Sequence, residues 1–184
     1  YCSNNAKEDY NMPGSPLAWD ESSREAHWRN REEGQAFFSV FNFNITHESR
    51  IWKNETTYSK EELDNVRIPD FFPEDDGIKS DFLTNYKNIE KLDQQIGVII
   101  AQLKADGLYD NTIIFFFSDH GGPFPHYKRS IYETGLRCPM VAKWNDDAWK
   151  GKTYQLVSFV DFAPTILDAA NIKREFPFEG VSFY

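Results

Sequence analysis

The sequence predicts an α/β fold, and three stretches carry that reading. Residues 113–117 (IIFFF) form an unbroken β-branched and aromatic run closed by Ser118, Asp119 and His120, the pattern of a strand buried on both faces. Residues 79–106 place Phe82, Tyr86, Ile89, Ile96, Ile100 and Leu103 at helical spacing, which gives an amphipathic stripe. Helix, short loop and strand in succession make half a turn of β-α-β winding. Residues 36–45 (AFFSVFNFNI) add a second strand rich in Phe and Val. Ligands in open α/β sheets gather past the carboxyl ends of the strands. The ionisable groups just beyond these two strands are therefore the first place to look for chemistry.

The remaining segments follow in order. Residues 1–11 are polar and Asn-rich with one basic side chain, Lys7, and 12–16 break any element with Pro13, Gly14 and Pro16. Residues 20–31 (DESSREAHWRNR) read as a short charged helix capped by Asp20 and anchored by Trp19 and Trp28, with His27 in solvent and Gly34 as its stop. Residues 52–77 have no period and contain Pro69, Pro73 and Asp76-Gly77, so they read as a long loop of the kind that carries function. Gly107 ends the main helix. A short strand is expected at 138–144 (CPMVAKW) and another at 154–160. A helix follows at 161–171, capped by Asp161 with Pro164 in its first turn.

A chain of 184 residues can bury one ordinary core, so it is one domain or part of a larger one. A formal net charge of −9 argues against nucleic acid or an anionic membrane surface as a partner for the whole body. It leaves room for a local cationic pocket. No apolar window has the length of a membrane span, and no basic-then-apolar leader opens the chain. The chain starts on Tyr1 and not on methionine, so an upstream segment is expected. Cys2 and Cys138 are too few for a disulfide framework; two free thiols are the plain reading, and the sequence leaves open whether they pair.

Asp119 and His120, adjacent at the end of a strand, can turn a carboxylate and an imidazole into one crevice and hold a divalent cation, given further ligands. The competing reading makes Asp119 a turn cap and His120 a satisfied loop histidine. Lys128 follows a Gly-Gly-Pro-Phe-Pro loop, stiff at the prolines and open at the glycines, which suits one cation held over a small anion such as phosphate or sulfate. Otherwise it is a solvated surface lysine. His47, beyond the first strand, can protonate a leaving group or be structural. Lys7 carries the same ambiguity, and His126 either lines the pocket or is exposed. Asp161, Glu133 and Arg137 are assigned to structure, with Arg137 available to a buried carboxylate.

Together these residues resemble a family. SDHGG, then Lys128 and Arg129, then YETGLRCP resemble the second half of type I sulfatases. In that family an apolar strand ends in Ser-Asp-Asn/His-Gly, and a lysine precedes Tyr-Glu-x-Gly-x-Arg-x-Pro. Residues 37–47 are similar to its strand ending in a substrate-contacting histidine, and 91–119 to its helix and strand before the metal ligands. Residues 160–172 resemble its Asp-x-x-Pro-Thr segment. The resemblance implies a three-layer α/β/α sandwich of the alkaline-phosphatase kind, present in part, with 1–184 as the middle and later part of a catalytic domain. It implies hydrolysis of sulfate esters or sulfamates, on a sulfated small molecule or glycan, by a formylglycine nucleophile. It also implies calcium, with Asp119 and His120 as two ligands and the others outside this chain. Lys128 and Lys7 would hold sulfate oxygens, His47 would contact or protonate the leaving group, and His126 would line the pocket.

Two departures stand out. The family's Gly-Lys-x-His is replaced by Ala6-Lys7-Glu8-Asp9, and neither Cys2 nor Cys138 fits the nucleophile segment Cys/Ser-x-Pro-x-Arg. The chain alone is therefore expected to have no turnover and weak metal binding at most. The alternatives are a phosphoesterase or phosphonate hydrolase of the same superfamily, and a carbohydrate-binding pseudoenzyme. The family is usually exported, to the periplasm or outside the cell, or lysosomal.

Overall fold

The Asn-rich opening of the chain is a strand, where the sequence signals only polarity. In the computed structural model, which describes residues 1–5, 7–145, 150–173 and 175–184, β1 (Cys2–Asn5) lies between β2 (Glu21–Ser23) and β3 (Phe38–Phe41) in a parallel sheet of order β2-β1-β3. Ser3 and Asn4 are almost fully buried. They are tolerated there because their polar atoms are paired: Ser3 Oγ lies 2.7 Å from Ser39 Oγ, and Asn4 Nδ2 donates to Ser22 Oγ and to the Lys7 carbonyl. Ala6, from the segment that departs from the family pattern, is outside the described residues.

The expected helix over 20–31 is not formed. Residues 21–23 pair with β1, and the Asp20 carboxylate accepts from the Cys2 N–H at 2.7 Å where it was expected to cap a helix. Only one 3₁₀ turn remains, Trp28–Asn30, capped by His27. His27 is not in solvent: its ring lies 3.9 Å from the Trp28 ring and bonds to Gln102. Trp28 is 2% exposed, and its indole donates to Asp106, which also takes a two-pronged contact from Arg29. Arg29, and then Trp28, hold the Asp106 carboxyl down to about 2.

The main helix is α3 (Asp76–Ala105), entered after α1 (Ser49–Trp52) and α2 (Lys60–Asp64). It starts earlier than the apolar stripe, because Asp75 accepts from Gly77 N and Ile78 N and caps it there. Its buried face is Phe82, Thr84, Asn85, Asn88 and Leu103, while Tyr86 and Ile89 are largely exposed. Thr84 of that face is engaged from the 52–77 segment: Asn54 Nδ2 donates to Thr84 Oγ1, and Tyr58 reaches the same hydroxyl. That segment is less irregular than expected, since Ser59 and Glu62 form a capping box over α2.

After Gly107, β4 (Ile114–Phe117) pairs antiparallel with β5 (Met140–Lys143), so its described partner is not the parallel neighbour that β-α-β winding implies. Nor is β4 buried on both faces: Phe116 and Phe117 are 37% and 42% exposed, since among the described residues it has one ladder only. Lys143 Nζ donates to the carbonyls of Tyr109, Asp110 and Thr112 and pins the α3 to β4 connection. All of this lies in one unit, Tyr1–Asn145; the second is Asp146–Tyr184. There the expected 154–160 strand is absent, and a 3₁₀ turn (Phe159–Asp161) leads into α5 (Phe162–Ala169). Asp161 serves the backbone N–H groups of Ser158 and Val181, and makes no side-chain cap on α5.

Candidate functional site: an anion crevice beside a strand-end loop

The loop after β4 is shaped by close backbone approach. Ser118 N still donates to Pro139 O, so the ladder stops where Asp119 begins. Gly121 N then donates to Gly135 O at 3.0 Å, next to α4 (Glu133–Leu136). A Cβ on Gly121 would run into the Thr134 carbonyl, and one on Gly135 into those of Ser130 and Tyr127. Phe124 stacks on Phe82 of α3, with rings 3.9 Å apart and 10° from parallel. Lys128 N donates to Gly122 O, tying the loop's far side to its near side. His126 and Arg129, on either side of Lys128, take left-handed backbone angles (φ 68° and 66°). Non-glycine residues hold such angles only where the surroundings fix them, and such positions cluster at functional sites.

This loop delivers Lys128 and Arg129 to the turn after β3. Glu48, at the start of α1 and only 5% exposed, receives both cations. Arg129 grips it with two prongs at 2.9 and 2.6 Å, and Lys128 Nζ reaches Oε1 at 3.1 Å. Arg129, and then Lys128, hold the Glu48 carboxyl down to about 2 against the opposing effect of its burial. Lys128 Nζ is also 3.4 Å from His47 Nε2, across 81 residues of chain. His47 Nδ1 accepts from the Ser49 N–H at 3.3 Å and lies 2.9 Å from Ser49 Oγ. With Nδ1 accepting, the ring proton of the neutral imidazole is on Nε2. In that tautomer an ammonium and an Nε2–H converge on one spot, where an anionic oxygen accepts from both; in the other, Nδ1 donates to Ser49 Oγ and Nε2 accepts from Lys128.

The metal candidates show the opposite arrangement. His120 Nδ1 lies 2.7 Å from the Gly121 carbonyl, which can only accept, so the proton is on Nδ1 and the Nε2 lone pair is open. That nitrogen sits 3.6 Å from Asp119 Oδ1. A carboxylate oxygen and an imidazole lone pair facing one another fit two ligands of one divalent cation, with the backbone orienting the imidazole. Among the described residues no group of three or more His, Cys, Asp or Glu is placed to hold a metal. Asp119 and His120 can therefore be only part of a coordination shell.

The other candidates have other partners. Lys7 is exposed and pairs with Asp9 at 3.6 Å, and no hydrogen bond or ion pair among the described residues links it to His47 or Lys128. His126 is exposed and stands edge-on to Phe71 and against Tyr132, on an aromatic cluster. Arg137 pairs with exposed Glu133, which the one-turn helix α4 sets beside it, and among the described residues with no buried carboxylate. Both cysteines are free, and burial, then the nearby Asp119 charge, push the Cys138 thiol up. Sequence reasoning missed Glu48 and the role of Arg129. Their signal was present as ionisable residues next to His47 and Lys128.

Lys128, Arg129 and His47 gathered at Glu48, and the adjacent Asp119–His120 pair, thus sit in loops of an α/β scaffold. The sulfatase family model matches residues 2–172, and the chain belongs to that family. It is 40% identical to an ulvan-active sulfatase of Formosa agariphila, over all of this chain and 37% of that protein. It is 30% identical to the N-sulphoglucosamine sulphohydrolase of Homo sapiens over 56% of this chain and 21% of that protein. It is 34% identical to an N-acetylglucosamine-6-O-sulfatase of Bacteroides thetaiotaomicron over 50% of this chain and 17% of that protein. The chain thus spans little more than a third of the first of these relatives and about a fifth of the others.

Proposed function

We propose that residues 1–184 are the middle and later part of the catalytic domain of a sulfatase that hydrolyses sulfate esters or sulfamates of glycans. The observation that carries this reading is the 3.4 Å approach of Lys128 Nζ to His47 Nε2, an ammonium and an imidazole brought together from segments 81 residues apart. A sulfate group accepts from Lys128 through a peripheral oxygen, while His47 Nε2–H is aimed at the bridging atom that leaves. Hydrogen bonds aimed at the charge that develops on a leaving group lower the barrier electrostatically. Lys7 adds a second cation for the sulfate, and His126 with its aromatic neighbours lines the outer rim. Asp119 and His120 supply two ligands of a calcium ion, whose chemistry when bound is to offset the sulfate charge. The remaining ligands and a formylglycine, which supplies the nucleophile, come from outside residues 1–184.

Three further parts belong to the same proposal. The scaffold is a three-layer α/β/α sandwich of which these residues form part. The substrate is glycan-borne sulfate, in keeping with the names of the glucosamine-directed relatives. The protein is exported, to the periplasm or cell exterior, or is lysosomal. No described helix is long and apolar enough to cross a membrane.

The test is a paired assay of the complete enzyme with the sulfate and phosphate esters of one phenol and a panel of sulfated glucosamines. Sulfate release is expected, with phosphate release slower by about 10²-fold or more, since a site built for one anion rejects another by differential transition-state binding. Faster phosphate release supports the phosphoesterase instead. Tight sugar binding without release of either anion supports the pseudoenzyme.

A further inference from the structure

Glu48 has no place in the chemistry just described. Its two oxygens are taken by Lys128 and Arg129. Yet it is buried, and it takes three contacts of 3.1 Å or less from the two cations of the crevice. A buried carboxylate is retained only with partners, and here those partners come from a loop 80 and 81 residues further along the chain. Arg129, bound through its two terminal guanidinium nitrogens, ties down the residue after Lys128, where φ is 66°. The Glu48 oxygen that accepts from Lys128 also lies 4.0 Å from His47 Nε2. One oxygen therefore sets the distance between the two donors of the crevice.

We infer that Glu48 is a positioning residue that uses Arg129 as a clamp and Lys128 as its effector, holding the Lys128 ammonium at His47 so that both donors meet one sulfate. The inference rests on the reading of this crevice as a sulfate site. Displacing a contact by about 1 Å can cost about 10²-fold in rate, so losing this anchor should be visible in turnover even in a fully folded enzyme.

The test is a double-mutant cycle on the complete enzyme, with Glu48→Gln, Lys128→Ala and the pair together. The readouts are kcat/KM for an aryl sulfate and the melting temperature. Interacting residues give non-additive losses, independent ones additive losses. Glu48→Gln is expected to lower kcat/KM by about 10- to 100-fold in the wild type. In the Lys128→Ala background it should change kcat/KM by less than about twofold, while lowering the melting temperature in both backgrounds. An equal fold-loss in both backgrounds overturns the inference, because Glu48 then acts through general stability alone. Unchanged kcat/KM in Glu48→Gln also overturns it. If Lys128→Ala itself keeps wild-type turnover, the sulfate reading of the crevice fails first and the inference falls with it. Should Glu48→Gln not fold, Glu48→Asp retains the charge but withdraws it by one methylene, and is expected to show the same non-additivity. Additive losses from that variant overturn the inference.

Discussion

At the scale of single residues, the chain relies on carboxylates that are held ionised by specific cations. Glu48 is held down to about 2 from an ordinary 4.5, chiefly by Arg129, and Asp106 to about 2 from 3.8, chiefly by Arg29. Each folded value lies below the unfolded one, so the stabilisation is present above the unfolded value and is lost as pH falls through the folded one. The window runs from about 4.5 for Glu48 and 3.8 for Asp106 down to about 2. Melting temperatures measured between pH 7 and pH 2 are expected to fall most steeply there. Glu48→Gln and Asp106→Asn should melt lower at pH 7 and lose less on acidification. Parallel curves for wild type and variants would contradict this. His47, Asp119, His120 and Lys128 were legible in the sequence as ionisable groups in turns after strand-like runs. Glu48 and Arg129 were not, because their meaning is a pairing across 81 residues that no local pattern encodes.

At the scale of elements, the loop after β4 is held by two kinds of contact, glycine-to-backbone approach and the stacking of Phe124 on Phe82. Gly135→Ala forces a methyl group against the carbonyls of Tyr127 and Ser130. It should cost about 1–3 kcal/mol in urea-induced unfolding, the usual range for overpacking. Phe124→Ala should cost toward the lower end of about 3–5 kcal/mol and make the loop more sensitive to protease. A neutral result for both would mean that the loop is positioned by something else. Helix α3 was legible from its apolar recurrence, and β5 as a short run entered through Pro139. Strand β1 was not, because its buried positions are Ser3 and Asn4, whose burial depends on partners elsewhere in the chain. Residues 20–31 went wrong for a related reason. Asp20 has the residue type of a helix cap, but it is used by the Cys2 N–H.

At the scale of the whole molecule, an acidic chain of net charge −9 gathers two cations and a histidine around one buried carboxylate. Net charge constrains solubility and distant partners, whereas a crevice is governed by the few charges within reach. Membership of the sulfatase family covers nearly the whole chain, yet the chain spans only 37% of its ulvan-active relative. The 184-residue chain by itself is expected to release no sulfate. Calcium binding weaker than about 1 mM is expected of it, beyond the weak end of dedicated calcium sites, because two ligands cannot fill a shell of six to eight. Titration calorimetry with calcium and a sulfate-release assay on that polypeptide check both.

The central claim is that Lys128 and His47 together hold the sulfate that is cleaved, and its most direct measurement is kcat/KM of the complete enzyme carrying Lys128→Ala. A loss of about 10²- to 10³-fold is expected, the scale for removing one preorganised contact to a developing charge, with the fold retained and the melting temperature lowered, because Glu48 then keeps Arg129 alone. A value within twofold of wild type would contradict it.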